Sequence, residues 1–182
     1  MDLKIKRATK RVELCLDLGL REKWEAAEAD LRDARNDPMI SGQQTMGGGP
    51  LVDMARRVEE VEQEMAAATV TFVLEGLPRH AWSDAVTEHP PRPGDDGDKQ
   101  LGFNEETIFD ALIPLSVVAV VGPDGDPVEW SADSWMALAD EMTTRQYQEF
   151  KQAVFELNVG GAGARLPKSS AASRVMRRSE GS

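Results

Sequence analysis

Cysteine is almost absent from this chain. Cys15 is the only one, which excludes an intramolecular disulfide and thiolate metal clusters and fits a reducing compartment. Histidine is nearly as scarce. His80 and His89 are the only two, and neither stands in the H-E-x-x-H spacing that places two imidazoles on one helix face for zinc. Long apolar runs are missing as well. The longest, residues 111–122, contains Pro114 and Ser116; it falls short of the roughly 20 apolar residues that span a bilayer and reads as a buried core segment. The start, MDLKIKRATKR, lacks the apolar stretch of a secretory signal. These absences predict a soluble intracellular protein. Aromatics are only 5% of the 182 residues, so a modest core under much solvated helix surface is expected, in one domain or one domain plus an arm.

Positive charge is also in deficit, with a net −11 over the chain. That disfavours nucleic acid as a partner of the folded body, because phosphate contacts need clustered Lys and Arg. The imbalance is uneven. Residues 159–182 hold Arg165, Lys168, Arg174, Arg177 and Arg178 against Glu180 alone. The basic residues therefore gather at one end and the body is more acidic than the average suggests.

What is present is mostly periodicity. Residues 11–17, RVELCLD, set Val12, Leu14 and Leu16 against Glu13, Cys15 and Asp17, the period of two of a half-buried strand. Residues 69–75, TVTFVLE, repeat the pattern with Val70, Phe72 and Leu74. Between them, Leu20 to Asn36 is a charged run of helix formers with Trp24, Ala27, Leu31 and Ala34 at helical spacing, ended by Pro38. Ile40 to Gly49 is a Gly-rich connector. A second helix starts at Pro50, with Leu51, Met54, Val58, Val61 and Met65 along a matching stripe. Strand, helix, reversed helix and strand in series predict an antiparallel helical hairpin closed by a two-stranded antiparallel β-ribbon.

Beyond Gly76-Leu77-Pro78 the signals are short helices. Arg79 to Glu88 carries Trp82, Ala85 and Val86 and is stopped by Pro90-Pro91. Arg92 to Gly102 is a polar acidic loop, Asn104 is a fitting N-cap, and the following helix buries Ile108, Phe109, Leu112 and Ile113, with Pro114 expected to break or bend it at Leu112–Ile113. Residues 116–121 read equally as helix or extended chain. A turn at Pro123–Pro127, a short helix capped by Ser131 with Trp135, Met136, Leu138 and Ala139, and a last helix from Thr143 or Thr144 to Asn158 follow. The fold class is therefore mainly α (α+β), organised as a flexible basic arm (1–10), the strand-helix-helix-strand arm (11–76), a small helical domain formed by a bundle of short helices (77–158), and a disordered basic tail (159–182).

Candidate chemistry is thin. Asp95-Asp96-Gly97-Asp98 invites a calcium reading, but counting from Asp95 puts Gly97 and Lys99 where an EF-hand loop needs oxygen ligands and Gln100 where it needs glycine. A solvated turn is the simpler reading. His89 has no orienting partner in sequence for general-base work and is expected to end a helix and bond a last carbonyl or a neighbour. Gly47-Gly48-Gly49 lacks the Lys-Ser/Thr of a phosphate loop. The methionines Met46, Met54, Met65, Met136 and Met142 could form an adaptable binding surface, although Met54 and Met65 fall on a core stripe. No catalytic, cofactor-binding or metal-binding residue is assigned, and no enzyme activity is expected.

Three blocks in order carry a resemblance. They are RATKRVELCLD, then TVTFVLEGLPRHAWSDAVTEHPPRPGDDGDKQLGFNEETIFDALI, then TTRQYQEFKQAVFELN. They are similar to the tail assembly chaperones of long-tailed (siphovirus-type) actinobacterial phages and prophages, across about residues 7–158. The positions that match are Phe72, Leu74, Leu77, Pro78, Trp82, His89, Pro90, Pro91, Gly102, Asn104, Thr107, Phe109, Ala111, Leu112, Ile113, Leu157 and Asn158; Ile108 separates Thr107 from Phe109, where the family usually has them adjacent. The resemblance implies a non-enzymatic chaperone without a cofactor that binds the tape measure protein, keeps it soluble and gives way to tail tube protein. It also implies action in the host cytoplasm, absence from the mature virion, and a longer frameshifted form of the same chain as a partner. Trp82, His89, Pro90, Pro91, Gly102, Asn104 and Phe109 are the client-binding or family-motif positions, and self-association into a homo-oligomer is a further expectation. A structural tail protein, a completion or connector component that stays in the particle, is the alternative.

Overall fold

The structure is a computed structural model that describes residues 4–41 and 49–160. In chain order it contains β1 (Thr9–Cys15), α1 (Gly19–Asn36), the single turn α2 (Pro38–Ser41), α3 (Pro50–Ala67), β2 (Thr69–Glu75), α4 (Arg79–Glu88), α5 (Asp96–Leu101), α6 (Ile108–Ser116), β3 (Val117–Val121), β4 (Pro127–Val128), α7 (Trp135–Glu141) and α8 (Thr144–Asn158). Mixed α+β is the class. The connector residues 42–48, with Met46, and the basic segment 161–182 lie outside the described residues.

The strands form one antiparallel sheet in the order β1-β2-β3-β4. The expected β1–β2 pairing is present, from Thr9↔Glu75 to Cys15↔Thr69, but two strands was an underestimate. Val117–Val121, undecided between helix and strand by its own sequence, pairs with β2 through Thr71↔Val121 and Phe72↔Val120. Pairing settles what propensity left open, since a β-branched run gains most where a neighbour offers a ladder. The turn after it returns as β4: Gly122 N–H donates to the Asp126 carbonyl at 2.8 Å, and Gly125 at φ +85° takes the left-handed conformation that a side chain would disfavour. The region read as a small helical domain, with residues 116–121 left open between helix and extended chain, thus supplies two of the four strands.

Alternation on β1 and β2 aims Val12, Leu14, Phe72 and Leu74 at one face, where they meet Ile108, Phe109, Leu112 and Ile113 of α6, Trp135 of α7, and Phe150, Ala153 and Val154 of α8 in one buried cluster. Phe72 sits edge-on to both Trp130 (5.3 Å) and Phe150 (5.2 Å). Leu16, expected on this face, is instead 60% exposed. The strand ends at Cys15, and the chain turns toward α1 with Gly19 N–H donating to the Asp17 carboxylate at 2.9 Å. At the other end, β1 begins inside the segment read as a flexible arm. Arg7 Nη2 lies 2.6 Å from the Glu75 carboxylate, and Lys10 pairs with Glu156.

Pro114 does not break its helix. The helix runs on to Ser116 with Pro114 inside it, because Leu112, Ile113 and Ser116 are all buried and the Ser116 hydroxyl donates to the Leu112 carbonyl at 2.8 Å. α8 is closed at its start by a capping box, in which the Thr143 hydroxyl accepts from Gln146 N–H while the Gln146 side chain accepts from Thr143 N–H. Tyr147 donates to Asp110 at 2.7 Å, and burial together with that carboxylate pushes its hydroxyl above the ordinary phenol range.

α1 and α3 pack on each other through small side chains. Leu20, Ala27 and Ala34 of α1 and Val58 and Val61 of α3 are buried, and Trp24 donates its indole N–H to Glu62 at 3.1 Å. No helix among the described residues is long and apolar enough to cross a membrane.

Candidate functional site

The junction between α4 and α6 gathers most of the singled-out residues. α4 ends where Pro90 forbids another helical residue before it, and His89 becomes its cap. From there the chain closes on itself: Asn104 N–H donates to the His89 carbonyl at 2.8 Å, and His89 Nδ1 lies 2.8 Å from the Thr107 hydroxyl. The neighbour bonded by His89 is therefore eighteen residues away, on the approach to α6.

Inside that closed segment the polar loop is not a loop. Asp95 caps α5 by accepting from Asp98 N–H at 3.0 Å, and Gly102, at φ +83°, ends it in the left-handed conformation. Asp98, read from sequence as part of a solvated turn, is only 2% exposed. Its carboxylate accepts from Arg92 Nε (2.7 Å) and Nη2 (3.1 Å), from Arg92 N–H (3.0 Å) and from Glu105 N–H (3.1 Å). Arg92 also reaches Asp95 at 3.0 Å and Glu106 at 2.6 Å. A buried carboxylate survives only when its lone pairs are filled, and here a bidentate guanidinium and two backbone donors fill them. The hydrogen bonds from Arg92 hold the Asp98 carboxyl well below the usual carboxylate range against the opposing effect of burial, and the bond to Asp98 holds the Arg92 guanidinium above its ordinary value. Of the acids that suggested calcium, Asp95 and Asp98 are thus engaged with Arg92, and Asp96 lies 3.0 Å from Lys99 Nζ.

Asn104 is a cap of a different kind from the one expected. Its side chain accepts from Glu106 N–H at 3.0 Å and orders a turn, and α6 proper begins at Ile108. The aromatic side of the junction runs Trp82–Phe103–Phe109, each pair edge-on at 6.1 and 6.2 Å. Lys151 of α8 lies 5.0 Å over the Phe109 ring and 2.9 Å from Glu105. Between them is a groove of about 290 Å³, lined by Leu101, Phe103, Phe109, Phe155 and Lys151 among others.

Trp82, His89, Gly102, Asn104 and Phe109 are therefore brought into one unit, with Pro91 half-buried at its edge and Pro90 exposed. Sequence reasoning missed Arg92, Asp98, Phe103 and Lys151. The Asp95-to-Asp98 spacing was the one available signal, since an acid three residues ahead of the donor it caps is the N-cap pattern. Nothing in the sequence marked Asp98 as buried. Comparisons with protein families, with curated proteins and with solved structures find no match.

Proposed function

We propose that this chain is a tail assembly chaperone, a non-enzymatic protein that binds the tape measure protein in the host cytoplasm, keeps it soluble, and yields to tail tube protein without entering the mature virion. The observation that carries the reading is the ordered set of blocks around residues 69–113. Residues as far apart as Trp82, His89, Thr107 and Phe109 serve one junction, so the motif reads as a folding unit rather than as scattered similarity. In this reading α1 and α3 are an antiparallel helical hairpin that offers its seam to a helical client. Two open clefts along that pair support it. One, of about 440 Å³, is bordered by Leu31, Leu51 and Val52; the other, of about 400 Å³, by Trp24 and Met65. An acidic body suits the task because net charge keeps a complex dispersed.

Co-expression with the tape measure protein tests the reading. The expected result is a soluble complex recovered on a tag carried by either protein. An insoluble client together with an empty pull-down would remove the proposal. Mass spectrometry of purified particles separates chaperone from structural component, because abundant copies in finished virions belong to the latter.

A further inference from the structure

Among the described residues β1 is an edge strand, bonded to β2 on one side only. Two bonds that flank the ladder fix its phase: Leu16 N–H donates to the Ala68 carbonyl and Gly76 N–H to the Ala8 carbonyl. Hydrogen-bonded pairs alternate along an antiparallel ladder. The even-numbered residues Lys10, Val12 and Leu14 therefore turn their backbone groups to β2, while Thr9, Arg11, Glu13 and Cys15 turn theirs to the open edge. One of those outward groups is already used, since the Cys15 carbonyl accepts from Gln146 Nε2 at 3.0 Å. The side chains of Arg11 and Glu13 are exposed on the sheet face away from the core, and neither has an ion pair or side-chain hydrogen bond among the described residues.

We propose that this edge is the contact between two copies of the chain, β1 pairing antiparallel with β1 of a second copy about a two-fold axis at Val12, to give a continuous eight-stranded sheet. The outward groups belong to odd residues, so hydrogen-bonded partners across the axis must both be odd. Registers centred on Arg11, Val12 or Glu13 satisfy this. Centring on Arg11 or Glu13 places like charges opposite each other, which destabilises a cross-strand pair. Centring on Val12 places Arg11 opposite Glu13 of the second copy twice over, with the backbone groups of both residues in register to bond.

Charged edge residues ordinarily keep strands apart. Here the two signs sit at positions that the two-fold axis exchanges, so the same charges select the copy. The ground beside the edge is balanced too. A groove of about 360 Å³ along it is lined by Lys10, Arg11, Glu13 and Glu149 with Val12 and Gln152; two bases meet two acids in a body that is otherwise strongly acidic. α8 runs along the strand from Gln146 at Cys15 to Glu156 at Lys10, so the two copies of α8 would flank the axis.

Sedimentation equilibrium on the full chain reads the association. The expected wild-type result is a dimer at micromolar concentration that tightens as salt screens the acidic bodies. Arg11→Glu and Glu13→Arg should each weaken it by about tenfold or more, since each turns two attractive cross-strand pairs into two repulsive ones. Combining both substitutions in one chain restores opposite charges and should restore the dimer. An equimolar mixture of Arg11→Glu chains with Glu13→Arg chains should form a heterodimer in preference to either homodimer. Circular dichroism confirms that these exposed substitutions leave the fold intact. A wild-type chain that stays monomeric at about 100 µM, or a dimer indifferent to the single substitutions, overturns the proposal. So does a monomer in which residues 9–15 resist hydrogen exchange at their outward amides, because another segment or partner then holds the edge.

Discussion

The body around the sheet and the α1–α3 pair hold their residues in different ways. In the body, large side chains close on one another: Trp135, Phe150, Leu112, Ile113 and Val154 are all wholly buried. In the α1–α3 pair the buried residues are chiefly alanine and valine, and the larger apolar side chains Trp24, Leu31, Leu51, Met54 and Met65 stay half-exposed along the seam. Between the two regions, side-chain caps occur only in the body, at two of its helices. Two body helices, α5 and α8, carry side-chain N-caps, whereas among the described residues α1 and α3, like α4, α6 and α7 of the body, have none. The body is built to persist, and the pair keeps apolar surface within reach of solvent and partners.

The contrast is broken most directly by cutting the body. Phe150 touches Phe72 of the sheet and Trp135 of α7, so Phe150→Ala opens a cavity where three elements meet. A cost of about 3–5 kcal/mol is expected for removing a buried ring, a large share of the roughly 5–15 kcal/mol that holds a domain together. Urea titration followed by tryptophan fluorescence and circular dichroism should show both probes shifting together. A shift below about 1 kcal/mol would place the core elsewhere.

The next effect is at the junction and carries a pH signature. Asp98 is ionised and its folded pKa is depressed. Its contribution is therefore fully present above the unfolded carboxylate value near 3.9 and is lost as pH falls through the folded one. Asp98→Asn should lower the melting temperature by less than Phe150→Ala does. The gap from wild type should be constant between about pH 5 and 7 and should narrow below about pH 4. A gap that persists unchanged at pH 3 would mean that the carboxylate charge is not what the Arg92 fork is holding.

Smaller for the body is a break in the α1–α3 pair itself. Leu31→Asp with Val58→Asp places two carboxylates in its seam, so helical ellipticity should fall while the body's unfolding midpoint stays within about 2–4 °C of wild type, the shift that 1 kcal/mol makes in a protein of this size. Unchanged ellipticity would show that the pair does not depend on its seam. A collapse of the body midpoint would show that the two regions fold as one.

The differences also mark what the sequence could express. β1, β2, α1, α3 and α8 were legible because each repeats one spacing over many residues, and repetition survives without knowledge of neighbours. The segment 117–121 was not, because its run of valines suits a buried helix or a strand and only β2 decides. The break expected at Pro114 is absent for a related reason: a proline's local cost was outweighed by burial on both sides of it. Asp98 was least legible of all. A short acidic, Gly-containing stretch is ordinarily solvated, and what buries this one is Arg92 and the Glu105 N–H, contacts whose geometry no spacing rule encodes. Local order was readable; the partners that close the junction were not.

The finest test sharpens the contrast in helix ends. α3 begins at Gly49, whose φ of −163° and ψ of 170° are extended, with Pro50 as its first residue and no side chain accepting from the exposed N–H groups. That backbone is the one a serine N-cap adopts, and its hydroxyl could take the N–H of Leu51 or Val52, the second and third residues of the helix. Gly49→Ser should therefore stabilise the first turn of α3 by a few tenths of a kcal/mol, the usual difference between glycine and serine at this position. Slower hydrogen exchange should appear at the amides of Leu51 and Val52 and fade toward Val61, with no shift in the body's unfolding midpoint. Thr143→Ala supplies the counterpart in the body, where losing the capping box should cost about 1 kcal/mol and move that midpoint. If the added cap in α3 moved the body as far as the lost cap in α8, the two regions would share one cooperative unit, and the looseness ascribed to the α1–α3 pair would have to be sought in its exposed seam alone.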